Sequence, residues 1–155
     1  MERLNTEQQQ FVEEVARTCE QMFGLSRTAG RLWGVLLICE QEHLSIEELM
    51  ECLGASRGSV STLARLLESI GLIERVMVRG ERRHYYRAAD PQSLVEAELT
   101  NIKTLSRMME AGMRVAGKGR SRARTRITDY LDLMQFLSDE YAALTARWMK
   151  KKDKK

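Results

Sequence analysis

Six side chains between positions 56 and 65 have the types and spacing to do chemistry: Ser56, Arg57, Ser59, Ser61, Thr62 and Arg65. Short hydroxyls can approach phosphates and base edges closely, and arginine can chelate guanine through its planar fork. Gly58 removes a side chain near a helix N-terminus, where free backbone N–H groups favour phosphate. Val60, Leu63 and Leu67 interleave with the polar set and would face inward. A second group follows in Arg79, Gly80, Arg82 and Arg83, an arginine-rich turn. Arginine is drawn to the enhanced negative potential of a narrow minor groove. The chemistry expected of both groups is recognition of double-stranded DNA. Catalysis is not expected. His43 and His84 have no metal-ligand spacing, and no Ser, Cys and His form a nucleophile arrangement. The GASRGS stretch lacks the G-K-[ST] of a phosphate loop. No catalytic residue, metal or cofactor is therefore assigned.

The flanking residues specify elements that would hold these groups. Ser45 and Glu48 form an S-x-x-E capping box, and Leu44 and Leu49 sit at the positions of a hydrophobic staple. A short helix over 46–53 follows, ending at Gly54. Ser56 can cap the next helix, whose apolar positions are Val60, Leu63, Leu66, Leu67 and Ile70. Gly71 fits a left-handed terminus, with Leu72 folding back on Leu67. The periodicity then changes. Residues 73–78 alternate with β-branched side chains, residues 83–87 are aromatic, and Arg79–Arg82 separates them, which predicts a hairpin. A two-stranded ribbon is marginal alone and must lean on the helices.

Upstream, Phe11, Val15, Cys19, Met22 and Phe23 predict an amphipathic helix over 6–23, stopped by Gly24. A second helix is expected over 27–42, apolar around most of its circumference and so central. Its Gly30 and Gly34 lie four apart and would permit close helix approach. Downstream, Asp90-Pro91 starts a long helix to about residue 116, which Gly117, Lys118 and Gly119 break. In the last helix Ile127, Met134, Tyr141 and Trp148 repeat every seven residues, with Tyr130, Leu137 and Leu144 interleaved. That a/d seam predicts dimerisation, although one chain could bury it against the 91–116 helix.

The 155 residues suit one compact domain, or one domain with a dimerisation appendage. Apolar residues make up 43%, enough for a core, and the longest apolar run, Val35–Cys39, is far short of a membrane span. The polar N-terminus lacks a signal-peptide core, and three cysteines (Cys19, Cys39, Cys52) make no disulfide framework. A reduced, cytoplasmic, helix-rich protein with no membrane partner is expected. The net charge of +3 conceals clustering: residues 111–128 hold six basic residues and no acid. Within that stretch, Lys118–Arg126 reads as a phosphate clamp or, preferably, as a solvated loop between helices.

The stretches FVEEVARTCEQMFGLSRTAGRLWGVLLI, LSIEELMECLGASRGSVSTLARLLESIGLIERV and VRGERRHYY resemble the GbsR-like branch of the MarR superfamily of winged-helix regulators. The resemblance implies a mainly α fold with a small β-hairpin wing, and dimerisation through N- and C-terminal helices. It places an N-terminal dimerisation helix at 1–25, the winged helix-turn-helix at 26–89, a C-terminal dimerisation region at 90–150 and a basic tail at 151–155. It implies a homodimer, probed by a recognition helix over Ser56–Leu67 and a wing over Arg79–Arg83, that regulates a nearby operon, as a repressor in the favoured reading. Gly58 and Ser59 stand where such helices are often basic, which implies fewer base contacts. The two recognition helices of a two-fold dimer would lie roughly 34 Å apart, or a multiple of it, on a pseudo-palindromic operator. The resemblance also implies a small-molecule effector, in the family a choline-like osmolyte. Met22, Phe23, Trp33, Met108 and Met109 could line a pocket for one, with ordinary core as the better reading of each. Two competing functions are a protein–protein interaction module and a thiol-based redox sensor, the latter resting on Cys52 as the most exposed thiol.

Overall fold

The computed structural model describes residues 4–81, 83–116, 119 and 121–152. The chain runs α1 (Thr6–Phe23), α2 (Arg27–Ile38), β1 (Leu44–Ser45), α3 (Ile46–Leu53), α4 (Arg57–Ser69), β2 (Ile73–Val76), β3 (Tyr85–Ala88), α5 (Pro91–Val115) and α6 (Arg122–Lys152). It divides into two compact units, Met1–Asp90 and Pro91–Lys155.

In the first unit, local sequence signals set the helix ends. Asn5 and Gln8 close a capping box on α1, and Gly24 ends it at φ 64°. Ser26 caps α2 through the Ala29 N–H. The second helix is shorter than the expected 27–42. It stops at Ile38, and Cys39 turns extended (ψ 139°), because the following Glu40, Gln41 and Glu42 offer no apolar face to bury. Helix α4 ends in a Schellman motif: the Leu72 N–H donates to the Leu67 carbonyl (3.0 Å) and the Gly71 N–H to that of Glu68 (3.1 Å).

Helix α2 is central and packs against α1, α3, α4 and β3. Leu32, Val35, Leu44, Leu49, Val60, Leu67 and Ile73 form the fully buried heart of the core. The α1–α2 crossing is close because Gly30 lacks a Cβ, which would stand 2.6 Å from the Cα of Ala16. The Arg31 Nε and a second guanidinium nitrogen donate to the two oxygens of Glu13 across the same pair (2.6 and 3.1 Å).

The sheet has three strands in the order β1-β3-β2, all antiparallel, where a two-stranded hairpin was expected. Leu44 pairs with Tyr86 and Ser45 with Tyr85, so the staple residue Leu44 is also an edge-strand residue. The two hairpin strands are shorter than the expected 73–78 and 83–87. Pairing runs from Ile73↔Ala88 to Val76↔Tyr85 and stops there. Met77 and Val78 lie beyond it, and the loop is correspondingly longer.

In the second unit α5 and α6 pack on each other, with Ile102 (5% exposed) and Met134 (7%) the buried contacts. The heptad seam is divided rather than wholly free. Met134 is covered by this pairing and Ile127, Leu137 and Tyr141 are half-buried, whereas Tyr130 (51%), Leu144 (51%) and Trp148 stay exposed with Leu133 and Phe136. The stretch read as a loop over Lys118–Arg126 is in part helix: α6 starts at Arg122, and Ser121 accepts the Arg124 N–H. Gly117, Lys118 and Arg120 lie outside the described residues, as does the end of the basic tail.

Gly30→Ala is expected to destabilise the protein by about 1–3 kcal/mol, since the added methyl must displace backbone. Gly58→Ala, whose Cβ would meet nothing within 4 Å, should be neutral or stabilising by up to about 1 kcal/mol. Thermal melts of the two variants check the contrast.

Candidate nucleic-acid interface

Helices α3 and α4 are joined by Gly54, Ala55 and Ser56. Gly54 adopts φ 58°, and the Ser56 hydroxyl accepts the Ser59 N–H (3.3 Å), which fixes the first turn of α4. Val60, Ala64 and Leu67 bury one face of α4 against the core. On the other face Ser56, Arg57, Gly58, Ser59, Thr62 and Arg65 are exposed, while Ser61 is half-buried. A guanidinium nitrogen of Arg65 reaches back to the Thr62 hydroxyl (3.4 Å). Leu63 is half-buried, and Leu66, an apolar position of the helix, is exposed.

The wing is tied to the start of α3. Ser45 ends β1 and also caps α3: its hydroxyl accepts the Glu48 N–H (3.3 Å) and donates to the Glu48 carboxylate (2.7 Å). The Ile46 N–H donates to the His84 carbonyl (3.3 Å), extending the link to β3. At the base, Arg87 bridges Glu74 (2.9 Å) and Glu42 (3.6 Å). The tip is a turn in which the Glu81 N–H donates to the Val78 carbonyl (3.1 Å), with Gly80 at φ 87°. Arg79, Gly80 and Arg83 are exposed, and Arg82 lies outside the described residues.

One acidic residue bears on both groups of cations. Arg57 donates to the Glu47 carboxylate from across the helix turn. The backbone N–H of Glu47 itself, the Arg57 contact and, further off, the positive charge of Arg83 hold the Glu47 carboxyl below its ordinary range. Helix α4 and the wing are thus both joined to the N-terminus of α3, by the Arg57–Glu47 pair and by the Ile46–His84 backbone bond. The residue types of the α4 face did not disclose Glu47, because it sits ten positions before Arg57 and on another helix.

The chain matches two family models: a MarR family model over residues 23–84, and one described as the MmpR5-like MarR family transcriptional regulator over 92–151. It is 34% identical over 142 residues to the HTH-type transcriptional regulator MmpR5 of Mycobacterium tuberculosis (strain ATCC 25618 / H37Rv), covering 90% of this chain and 85% of that one. The chain belongs to the MarR family of transcriptional regulators. It is accordingly a DNA-binding winged-helix regulator, of a family of regulators rather than of enzymes. A crystal structure of a transcriptional regulator superposes on the MarR chain with a TM-score of 0.84 at 33% identity, covering 93% of this chain and 99% of the other. Likeness to the HTH-type transcriptional repressor GbsR of Bacillus subtilis (strain 168) is more limited: 26% identity over 75 residues, 48% of this chain and 40% of that one.

Other expectations fare differently in the MarR chain. Cys52 is half-buried rather than the exposed thiol, as is Cys39, and Cys19 is fully buried. Burial pushes all three thiols up, helped at Cys52 by Glu48 and Glu51, so the reactive thiolate is disfavoured. Met22 (69% exposed), Phe23 and Met108 are surface residues rather than core, while Trp33 and Met109 are half-buried. Among the described residues no cluster of three ligands could hold a metal ion, and no helix is long and apolar enough to cross a membrane.

At neutral pH the native thiols are expected to alkylate more slowly than those of the urea-unfolded chain, with the rate rising as pH climbs through their elevated range. Mass spectrometry after timed iodoacetamide treatment checks this. Cys52 labelling as fast as a free thiol would restore the redox reading.

Proposed function

We propose that this MarR regulator acts as a homodimer on a pseudo-palindromic operator, most simply as a repressor in the cytoplasm. The observation that carries the reading is that α4 and the wing are both tied to the first turn of α3, α4 through Arg57 on Glu47 and the wing through the His84 carbonyl on the Ile46 N–H. Arg57, Ser59, Ser61, Thr62 and Arg65 read base edges, Ser56 and the first turn of α4 take phosphate, and Arg79, Gly80, Arg82 and Arg83 follow the adjacent groove. Ser61 is half-buried and so offers less surface to such a contact than its neighbours.

The dimer reading rests on the exposed apolar stripe of α6, Tyr130, Leu133 and Leu144, which Trp148 continues along the seam. Ile127, Met134, Leu137 and Tyr141 support it from behind by fixing α6 on α5. The exposed Phe11, Met22 and Phe23 of α1 supply further apolar surface. In this reading the domain plan is an N-terminal dimerisation helix, a reader over 26–89 and a C-terminal dimerisation region from 90. The longer and more identical likeness to MmpR5 favours that branch, with the GbsR-like character confined to part of the chain. A small-molecule effector is part of the reading, with no residue assigned to it.

Selection of fragments from random duplex DNA should yield a two-fold symmetric site. Against it, Arg65→Ala should cost about 1–3 kcal/mol, concentrated at one base pair of each half-site. Arg79→Ala with Arg83→Ala should instead weaken all duplexes alike and flatten the salt dependence. A uniform loss for Arg65→Ala would make it a phosphate contact, and an unchanged slope for the wing pair would remove the wing from the interface. Leu144→Asp should shift the protein towards monomer in sedimentation analysis.

A further inference from the structure

A carboxylate on a surface that meets DNA phosphates is repelled by them, so its presence there calls for a compensating role. Glu47 occupies such a place. It lies in the first turn of α3 and pairs with Arg57, the first residue of the reader helix. Its carboxylate also meets its own backbone N–H at the helix start, but the capping box of α3 is closed by Ser45 and Glu48 without it. Nor is the pair buried: the Arg57 side chain is 62% exposed, so the contact is not part of the core.

We propose that Glu47 is a positioning residue that sets the DNA selectivity of the reader by holding the Arg57 guanidinium on the groove-facing side of α4. An arginine tied in this way can turn to a stray phosphate only by giving up its carboxylate. A guanine edge offers two acceptors in the plane of the fork, and can engage the remaining N–H groups while the carboxylate stays in place. Random sequence is thereby disfavoured more than the operator, which is selectivity by an element that penalises the wrong partner. This inference rests on the DNA-reading role given to α4 above.

The test compares wild type, Glu47→Gln, Arg57→Ala and the double variant. The probes are a random-sequence duplex pool and the fragment that wild type enriches from it. Glu47→Gln should bind the random pool about two- to fivefold more tightly at low salt. Its salt dependence should steepen by about 1.8 in logarithmic slope for the dimer, as Arg57 of each protomer takes up one further phosphate. The ratio of enriched to random affinity should fall. In the Arg57→Ala background the same substitution should leave the slope and the ratio unchanged. A Glu47→Gln slope equal to wild type overturns the proposal. So does a shift of equal size without Arg57, which would make Glu47 a general repulsive charge. Wild type that fails to retain any duplex removes the DNA reading itself, and this inference with it.

Discussion

The joint between helices and ribbon is made by two residues, Leu44 and Ser45. Leu44 is buried and pairs with Tyr86, while Ser45 pairs with Tyr85 and in the same position starts α3. The Ser45 hydroxyl and the Glu48 carboxylate satisfy each other and the backbone N–H groups of Glu48 and Ser45, so a polar residue can be buried there without an orphaned donor. A hairpin with only four residues in each strand has little stability of its own. It stands because its inner strand is paired on both sides and its base is clamped by Arg87. Everything that places arginines beside α4 passes through this joint.

The close α1–α2 crossing plays the complementary part. Gly30 brings the α1 backbone against α2, and α2 in turn carries α3, α4 and β3. A side chain at position 30 would have to push the two helices apart. Helix α4 is thus fixed from below by Val60, Ala64 and Leu67, and its exposed face is determined by default.

Much of this was legible in the residues, for reasons that differ from element to element. Helix ends at Gly24, Gly54 and Gly71 were readable because each needs a positive φ that other residues resist. The end of α2 was not, since no glycine marks it and Cys39 continues the apolar run. A two-residue strand such as β1 has no periodicity to detect. On α4 the polar face followed from the apolar repeat, and only Ser61 sits lower than its spacing suggested. Glu47 was hidden because its partner lies on another helix, and the crossing of the two is not written in either. In α6 the heptad positions were plain, but their division between α5 and an open face depends on which way the helix is turned.

The Gly80 tip has its own consequence. Its strain-free left-handed geometry sets the contour of the loop, and no neighbouring atom crowds the space where a side chain would be. Shape at the tip is consequently decoupled from the identity of the flanking side chains. Arg79 and Arg83 could be exchanged for other groups while the loop kept its outline, so in the proposed reading the chemistry offered by the wing can change without a change in its shape.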